Sequence, residues 1–268
     1  MGTLPIFWLE GSIQSGYSSV GSTIKEILAS YKEFLKRNNQ KHLSSFEKKE
    51  GNNPDGAKFE AAMFSIGQSY GLDIEIGEDS PEGGADFICT RKNNKFALEV
   101  TTINTKSIER KTGMKHDQHN VKAGFYSIYR ELFSKLKAKV KQVSRYDFPR
   151  IVSVGSFHNE AVSLFRPTMA DEYLEVFFDR DYIPSESLKD ISGILLVAFG
   201  YDFYTIFGLL HPKPTYPFNI ELLPDIHFRK ITKRGFSEKI VEGKWLNAKG
   251  ITYDPSVSDI HQLKRVRC

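Results

Sequence analysis

Two acidic residues interrupt apolar stretches of this chain, where a carboxylate is unexpected unless it has a partner or a function. Asp86 follows two glycines in the run GGADF, and Glu99 stands in the middle of the run FALEVT. An unpartnered carboxylate in so apolar a strand is strongly unfavourable, because its desolvation is not repaid. Asp86 and Glu99 are therefore expected either to hold a metal in a catalytic site or to form a structural pair, salt-bridged or hydrogen-bonded.

A hairpin would bring these two carboxylates together. The turn at residues 92–94 separates a strand predicted at 85–90 from one predicted at 96–103. Side chains alternate across a strand, so Glu99 shares a face with Thr101. Paired carboxylates suit Mg²⁺, which also takes water and substrate phosphate. A metal held there would lower the pKa of a bound water and stabilise charge developing on a phosphate.

Hydrophobic periodicity predicts an α/β fold around this hairpin, with a mixed sheet flanked by helices. Helices are predicted at residues 22–38, 57–70 and 121–143, and further strands at 72–77, 150–157, 193–199 and 204–210. The polar residues 38–56 are predicted to form a loop or linker. The basic residues 104–115 are predicted to form a loop, either solvated or following a nucleic-acid backbone.

Composition favours a cytoplasmic protein without a membrane span. No apolar run approaches the roughly 20 residues that a membrane helix needs. Of the two cysteines, Cys89 lies in an apolar strand pattern and is expected to be a buried thiol. The chain lacks the glycine motifs of P-loop, dinucleotide-binding and esterase sites, which disfavours those classes.

Charge is distributed in blocks along the chain. Residues 104–150 carry 12 basic and 4 acidic side chains, and residues 226–268 carry 10 and 4. Between them, residues 151–225 carry 4 basic and 11 acidic side chains. The basic blocks would suit phosphate binding through release of condensed counterions, and solvated helical faces are the equally weighted alternative.

These features together resemble the PD-(D/E)xK nuclease superfamily. Its signature is an acidic residue at the start of one strand and Glu-x-Lys on the next, often with a Glu from the preceding helix. Asp86, the run Glu99-Val100-Thr101, and Glu60 occupy those places here. The succession of a helix, three strands, a helix and a strand over residues 57–210 agrees with the superfamily.

The resemblance implies a restriction-endonuclease-like core at residues 57–210. The flanking parts are then an N-terminal helical extension and linker at 1–56 and a basic C-terminal extension at 211–268. It further implies Mg²⁺ or Mn²⁺ held by Asp86, Glu99 and the Val100 carbonyl. Glu60 would assist, with an ordinary surface glutamate as the alternative for that residue.

Thr101 departs from the superfamily pattern, because threonine cannot supply the positive charge of the motif lysine. Some branches supply that lysine from a following helix. In the helix predicted at 121–143, Lys139 falls inside the apolar stripe and Lys135 lies along its edge. A lysine on a buried face is uncommon unless paired. Lys139 is the first candidate and Lys135 the second, and the alternative is that either extends past its apolar neighbours to water.

The run His116-Asp117-Gln118-His119 lacks the ligand set of a zinc centre. It is expected to be a solvated loop, with phosphate contact near the active site as the alternative.

The sequence thus favours a metal-dependent endonuclease that hydrolyses phosphodiester bonds in DNA, of restriction-enzyme or defence type. Double-stranded DNA is the expected partner, and a homodimer would match a duplex cut on both strands. Two alternatives stay open. One is a catalytically inactive protein of the same fold that binds nucleic acid or a partner, which Thr101 favours; the other is an RNA-directed nuclease.

Overall fold

The computed structural model describes residues 24–77, 84–113, 115, 125–158, 190–199, 204–211, 213–224, 226–234, 241–246 and 252–253. Within these ranges the helices are α1 (Ile24–Asn38), α2 (Gln40–Asn52), α3 (Pro54–Ser69), α4 (Thr105–Thr112) and α5 (Phe125–Val143). The strands are β1 (Asp73–Ile76), β2 (Phe87–Arg91), β3 (Asn94–Thr102), β4 (Arg150–Ser156), β5 (Gly193–Phe199), β6 (Tyr204–Leu210), β7 (His227–Arg234), β8 (Val241–Leu246) and β9 (Thr252–Tyr253). The predicted α/β class with a mixed sheet is confirmed.

The nine described strands form one sheet in which spatial order follows chain order. Strands β1, β2 and β3 are antiparallel neighbours, and β3, β4 and β5 run parallel. A parallel pair needs a crossover connection, which α4 and α5 provide between β3 and β4. Strand β6 is antiparallel to β5, and β7 is parallel to β6.

The two faces of the sheet carry different helices. Phe96, Leu98 and Val100 of β3 belong to the apolar core that includes residues of α1, α2 and α3. Ala97, the intervening residue, belongs to the core that includes Leu136 of α5. Because side chains alternate along a strand, Ala97, Glu99 and Thr101 all lie on the α5 side.

The prediction of a loop or linker over residues 38–56 is wrong, because α2 occupies most of it. Asn39 caps its start through a hydrogen bond from the His42 amide, and Asn53 caps the following helix by accepting from Gly56. Two apolar side chains, Leu43 and Phe46, bury the helix against its neighbours. An apolar stripe of two residues is hard to recognise in a polar sequence, which explains why this helix was not predicted.

The basic segment predicted as a loop over residues 104–115 contains α4. The side chain of Asn104 accepts from the Lys106 amide, and the helix ends at Gly113, whose φ of 71° suits a left-handed C-cap. Ile108 anchors the helix by packing into the core on the α5 side.

Strands β7, β8 and β9, from the predicted C-terminal extension, continue the same sheet. None of the helices in the described ranges combines the length and apolar composition that crossing a bilayer requires.

Candidate active site

Asp86 and Glu99 are cross-strand neighbours. Phe87 pairs with Leu98 in the antiparallel β2–β3 ladder, so extending that register by one residue sets Asp86 opposite Glu99. Residues directly opposite in an antiparallel pair point to the same face. Both side chains are buried, with relative exposures of 2% for Asp86 and 0% for Glu99. The hairpin thus brings together the two carboxylates singled out in the sequence.

Two hydrogen bonds join Asp86 to β3. The Asp86 amide donates to Glu99 Oε2 at 3.2 Å, and the Val100 amide donates to Asp86 Oδ2 at 2.6 Å. The Asp86 main chain therefore holds the Glu99 carboxylate, while the β3 main chain holds the Asp86 carboxylate. This exchange fixes the two acidic groups relative to each other.

Lys139 of α5 completes the cluster. Its Nζ lies 2.5 Å from Glu99 Oε1, and its side chain retains 26% exposure against 0% for that of Glu99. A fully buried carboxylate is tolerated when a cation and hydrogen bonds compensate the lost hydration. The lysine on the apolar stripe of the helix therefore contacts the carboxylate in the middle of the apolar strand.

Gln142 links Lys139 to Gly84, two residues before Asp86. Its Oε1 accepts from Lys139 Nζ at 3.0 Å, and its Nε2 donates to the Gly84 carbonyl at 3.2 Å. A Cβ on Gly84 would lie 2.4 Å from the carbonyl oxygen of Gly77, so this position has no room for a side chain. Gln142 received no role in the sequence analysis; its spacing of three residues from Lys139 was the available signal.

Thr101 and Lys135 occupy the surroundings of this cluster. Thr101 is buried at 8% exposure, two residues along β3 from Glu99 on the same face. Lys135 is half-buried one helical turn before Lys139 on α5. The contact with Glu99 is made by Lys139, the first of the two predicted lysines.

Glu60 belongs to the helical layer on the other face of the sheet. Tyr31 Oη donates to Glu60 Oε1 at 2.8 Å, His42 Nε2 lies 3.1 Å from the same oxygen, and Lys49 forms an ion pair with Oε2. The alternative of a surface glutamate is wrong, because the residue is 1% exposed. The structure does not bring Glu60 into contact with Asp86 or Glu99.

The electrostatic surroundings of Glu60 favour its charged form. Burial raises the pKa of this carboxyl, but the hydrogen bond from His42 and the charge of Lys49 outweigh it and hold the pKa below its usual value. The Glu60 cluster is thus a charged, hydrogen-bonded connection between α1, α2 and α3.

The donor set at Asp86 and Glu99 fits a hard divalent cation. Mg²⁺ usually takes one or two carboxylates and fills its other positions with water and phosphate oxygens. Among the described residues, no group of three or more His, Cys, Asp or Glu side chains converges to hold a metal. Asp86 and Glu99, with the Val100 carbonyl, are the residues that could hold Mg²⁺ or Mn²⁺.

Two other sequence candidates are outside this cluster. Cys89 is a free, buried thiol, as predicted, and burial raises its pKa far above the usual range. Its inert thiol offers no nucleophile. The run His116–His119 lies outside the described residues.

Comparisons with protein-family models, curated proteins and solved structures gave no match to this chain.

The Lys139–Glu99 pair generates a stability prediction. Lys139→Met should lower the free energy of unfolding by about 3–5 kcal/mol, because the buried Glu99 carboxylate loses the lysine charge. Adding Glu99→Gln should recover most of that loss, since no buried charge then remains uncompensated. Urea denaturation at neutral pH measures both. Lys137→Met, at an exposed position of α5, is the control, and an equal effect of the two lysine variants would contradict the pair.

The lowered pKa of Glu60 predicts a pH dependence. Its stabilisation is fully present above the ordinary carboxyl value of 4.5 and is lost as the pH falls through the lower folded-state value. Glu60→Gln should therefore cost about 3 kcal/mol at neutral pH, with a difference from wild type that shrinks below that range. Denaturation across pH tests this, with the exposed Glu47→Gln as control. A cost independent of pH would refute the assignment.

Proposed function

We propose that this chain is a metal-dependent endonuclease that hydrolyses phosphodiester bonds in DNA, of restriction-enzyme or defence type. The observation that carries the proposal is the convergence of Asp86, Glu99 and Lys139 on one face of the sheet. Two carboxylates and an ammonium group supply the charges that phosphodiester hydrolysis needs: oxygen ligands for a metal and a cation for the attacking water.

The order of elements supports a restriction-endonuclease-like core at residues 57–210. Helix α3, strands β1 to β3, helix α5 and strand β4 follow one another as the resemblance to PD-(D/E)xK nucleases implies, with α4 inserted before α5. Helices α1 and α2 and strands β7 to β9 would then be additions to that core. This part of the proposal is an analogy of fold, so the site supplies the argument for activity.

Lys139 replaces the motif lysine that Thr101 cannot supply. Its ammonium group, reached from α5 and held by Gln142, would donate a hydrogen bond to the attacking water and orient it towards phosphorus. The new phosphorus–oxygen bond forms as the bond to the leaving oxygen breaks on the opposite side; the attacking water loses a proton to solvent and the leaving oxygen takes one up. Asp86, Glu99 and the Val100 carbonyl would hold Mg²⁺ or Mn²⁺, which when bound stabilises the charge on the phosphate and lowers the pKa of water.

A catalytically inactive binding protein of the same fold is the second candidate. The direct ion pair between Lys139 and Glu99 favours it, because that pair compensates the carboxylate without a metal. Such a protein would bind nucleic acid with strong salt dependence and would cut neither DNA nor RNA. An RNA-directed nuclease is a further version of the main proposal, which cleavage tests on DNA and RNA distinguish. A homodimeric assembly is another, which a measurement of molecular mass in solution tests.

The proposal predicts metal-dependent cleavage. Incubated with plasmid and phage DNA, the protein should cut in Mg²⁺ or Mn²⁺ and not in EDTA. Asp86→Asn and Glu99→Gln should each lower the rate by about a hundredfold or more, because each removes a charged ligand. Asp73→Asn, at an exposed position of β1, should cut like wild type. Absence of cutting on both DNA and RNA would favour the inactive binding protein.

A further inference from the structure

The two helical layers differ in charge. Among the described side chains of residues 104–147, which include α4 and α5, nine are basic and three are acidic. Residues 24–69, which form α1 to α3 on the other face, carry eight basic and six acidic side chains. The basic layer is the one that covers the Asp86–Glu99 pair.

Helix α4 lies on the same flank of α5 as Lys139. Lys111, near the end of α4, forms an ion pair with Glu131 of α5. Glu131, Lys135 and Lys139 follow one another at intervals of four residues and so form a row along one side of that helix. At about 1.5 Å per residue, the row extends over roughly 12 Å. A ligand lying along it would reach Glu99 from α4.

Three cations of α4 and α5 are available to a ligand. Lys106 and Arg110 are exposed on α4, and Lys135 is half-buried on α5. None of the three forms an ion pair with a carboxylate of a described residue. Lys135 and Lys139 are also like charges one turn apart, which weakens an isolated helix. Phosphate groups would neutralise this surplus.

We propose that Lys106, Arg110 and Lys135, together the α4 phosphate surface, bind the phosphodiester backbone of the nucleic acid and lead it to Lys139 and Glu99. The inference rests on the proposed function and specifies where its substrate lies. Arginine and lysine bind phosphates and release condensed counterions, so the surface binds without reading sequence. Two exposed lysines of α5 give a control, since Lys137 and Lys141 lie on the opposite flank of the helix from Lys135 and Lys139.

Binding without divalent metal tests the surface independently of cleavage. Labelled duplex DNA and duplex RNA are titrated in EDTA, by fluorescence anisotropy, from about 50 to about 200 mM salt. Lys106→Ala/Arg110→Ala should weaken binding by roughly tenfold and lower the slope of log K against log salt by about 2. The charge-matched Lys137→Ala/Lys141→Ala should change both far less. The duplex that shows the larger loss identifies the substrate backbone.

Three results would overturn the proposal. They are an equal loss of affinity in the two double variants, no binding of either duplex by the wild type, or an equivalent loss of binding to anionic lipid vesicles in Lys106→Ala/Arg110→Ala. The first would reduce the effect to net charge, and the last would assign the surface to a membrane. Selective loss in Lys106→Ala/Arg110→Ala without any Mg²⁺-dependent cleavage would support the surface while refuting the nuclease. The two proposals can therefore fail separately.

Discussion

A carboxylate with no exposure to solvent must be compensated within the protein, and Glu99 meets this condition through Lys139 and the Asp86 amide. That requirement constrains the position of α5 over β3, since Lys139 must extend from the helix to contact Glu99 on the strand. Gln142 then extends the constraint from Lys139 to Gly84, two residues before Asp86. Hydrogen bonds and one ion pair thus join the hairpin, Gly84 and α5 into one unit, which positions two carboxylates and one ammonium group.

The sheet separates two buried carboxylate clusters with different properties. Glu60 is surrounded by Tyr31, His42 and Lys49 from the neighbouring helices, and its oxygens are satisfied by them. The cluster on the α5 side combines two carboxylates with a lysine that keeps partial access to solvent. The first arrangement stabilises helix packing, whereas the second is the one on which the proposed nuclease activity rests. A charged network is therefore not by itself a sign of catalysis.

Alternation and periodicity predicted the central pair, and the resemblance to PD-(D/E)xK nucleases directed the search for its lysine to the helix that became α5. Glu99 stands on a strand face, Asp86 opens the neighbouring strand, and Lys139 interrupts an apolar stripe. Helices α2 and α4 escaped prediction because each buries few apolar side chains and depends on asparagine caps and tertiary packing. The partners of Glu60 come from two other helices. Tyr31, His42 and Lys49 lie 29, 18 and 11 residues away from it in sequence, so no local sequence pattern predicts these contacts.

Metal binding tests the role of the Asp86–Glu99 pair most directly. A titration of Mn²⁺ followed by electron paramagnetic resonance measures the free ion with the protein as the competitor. The wild type should bind Mn²⁺; Asp86→Asn and Glu99→Gln should each weaken binding by about tenfold or more, and Glu60→Gln should retain it. Equal affinity in wild type, Asp86→Asn and Glu99→Gln, or no binding by the wild type, would contradict a metal centre at this pair.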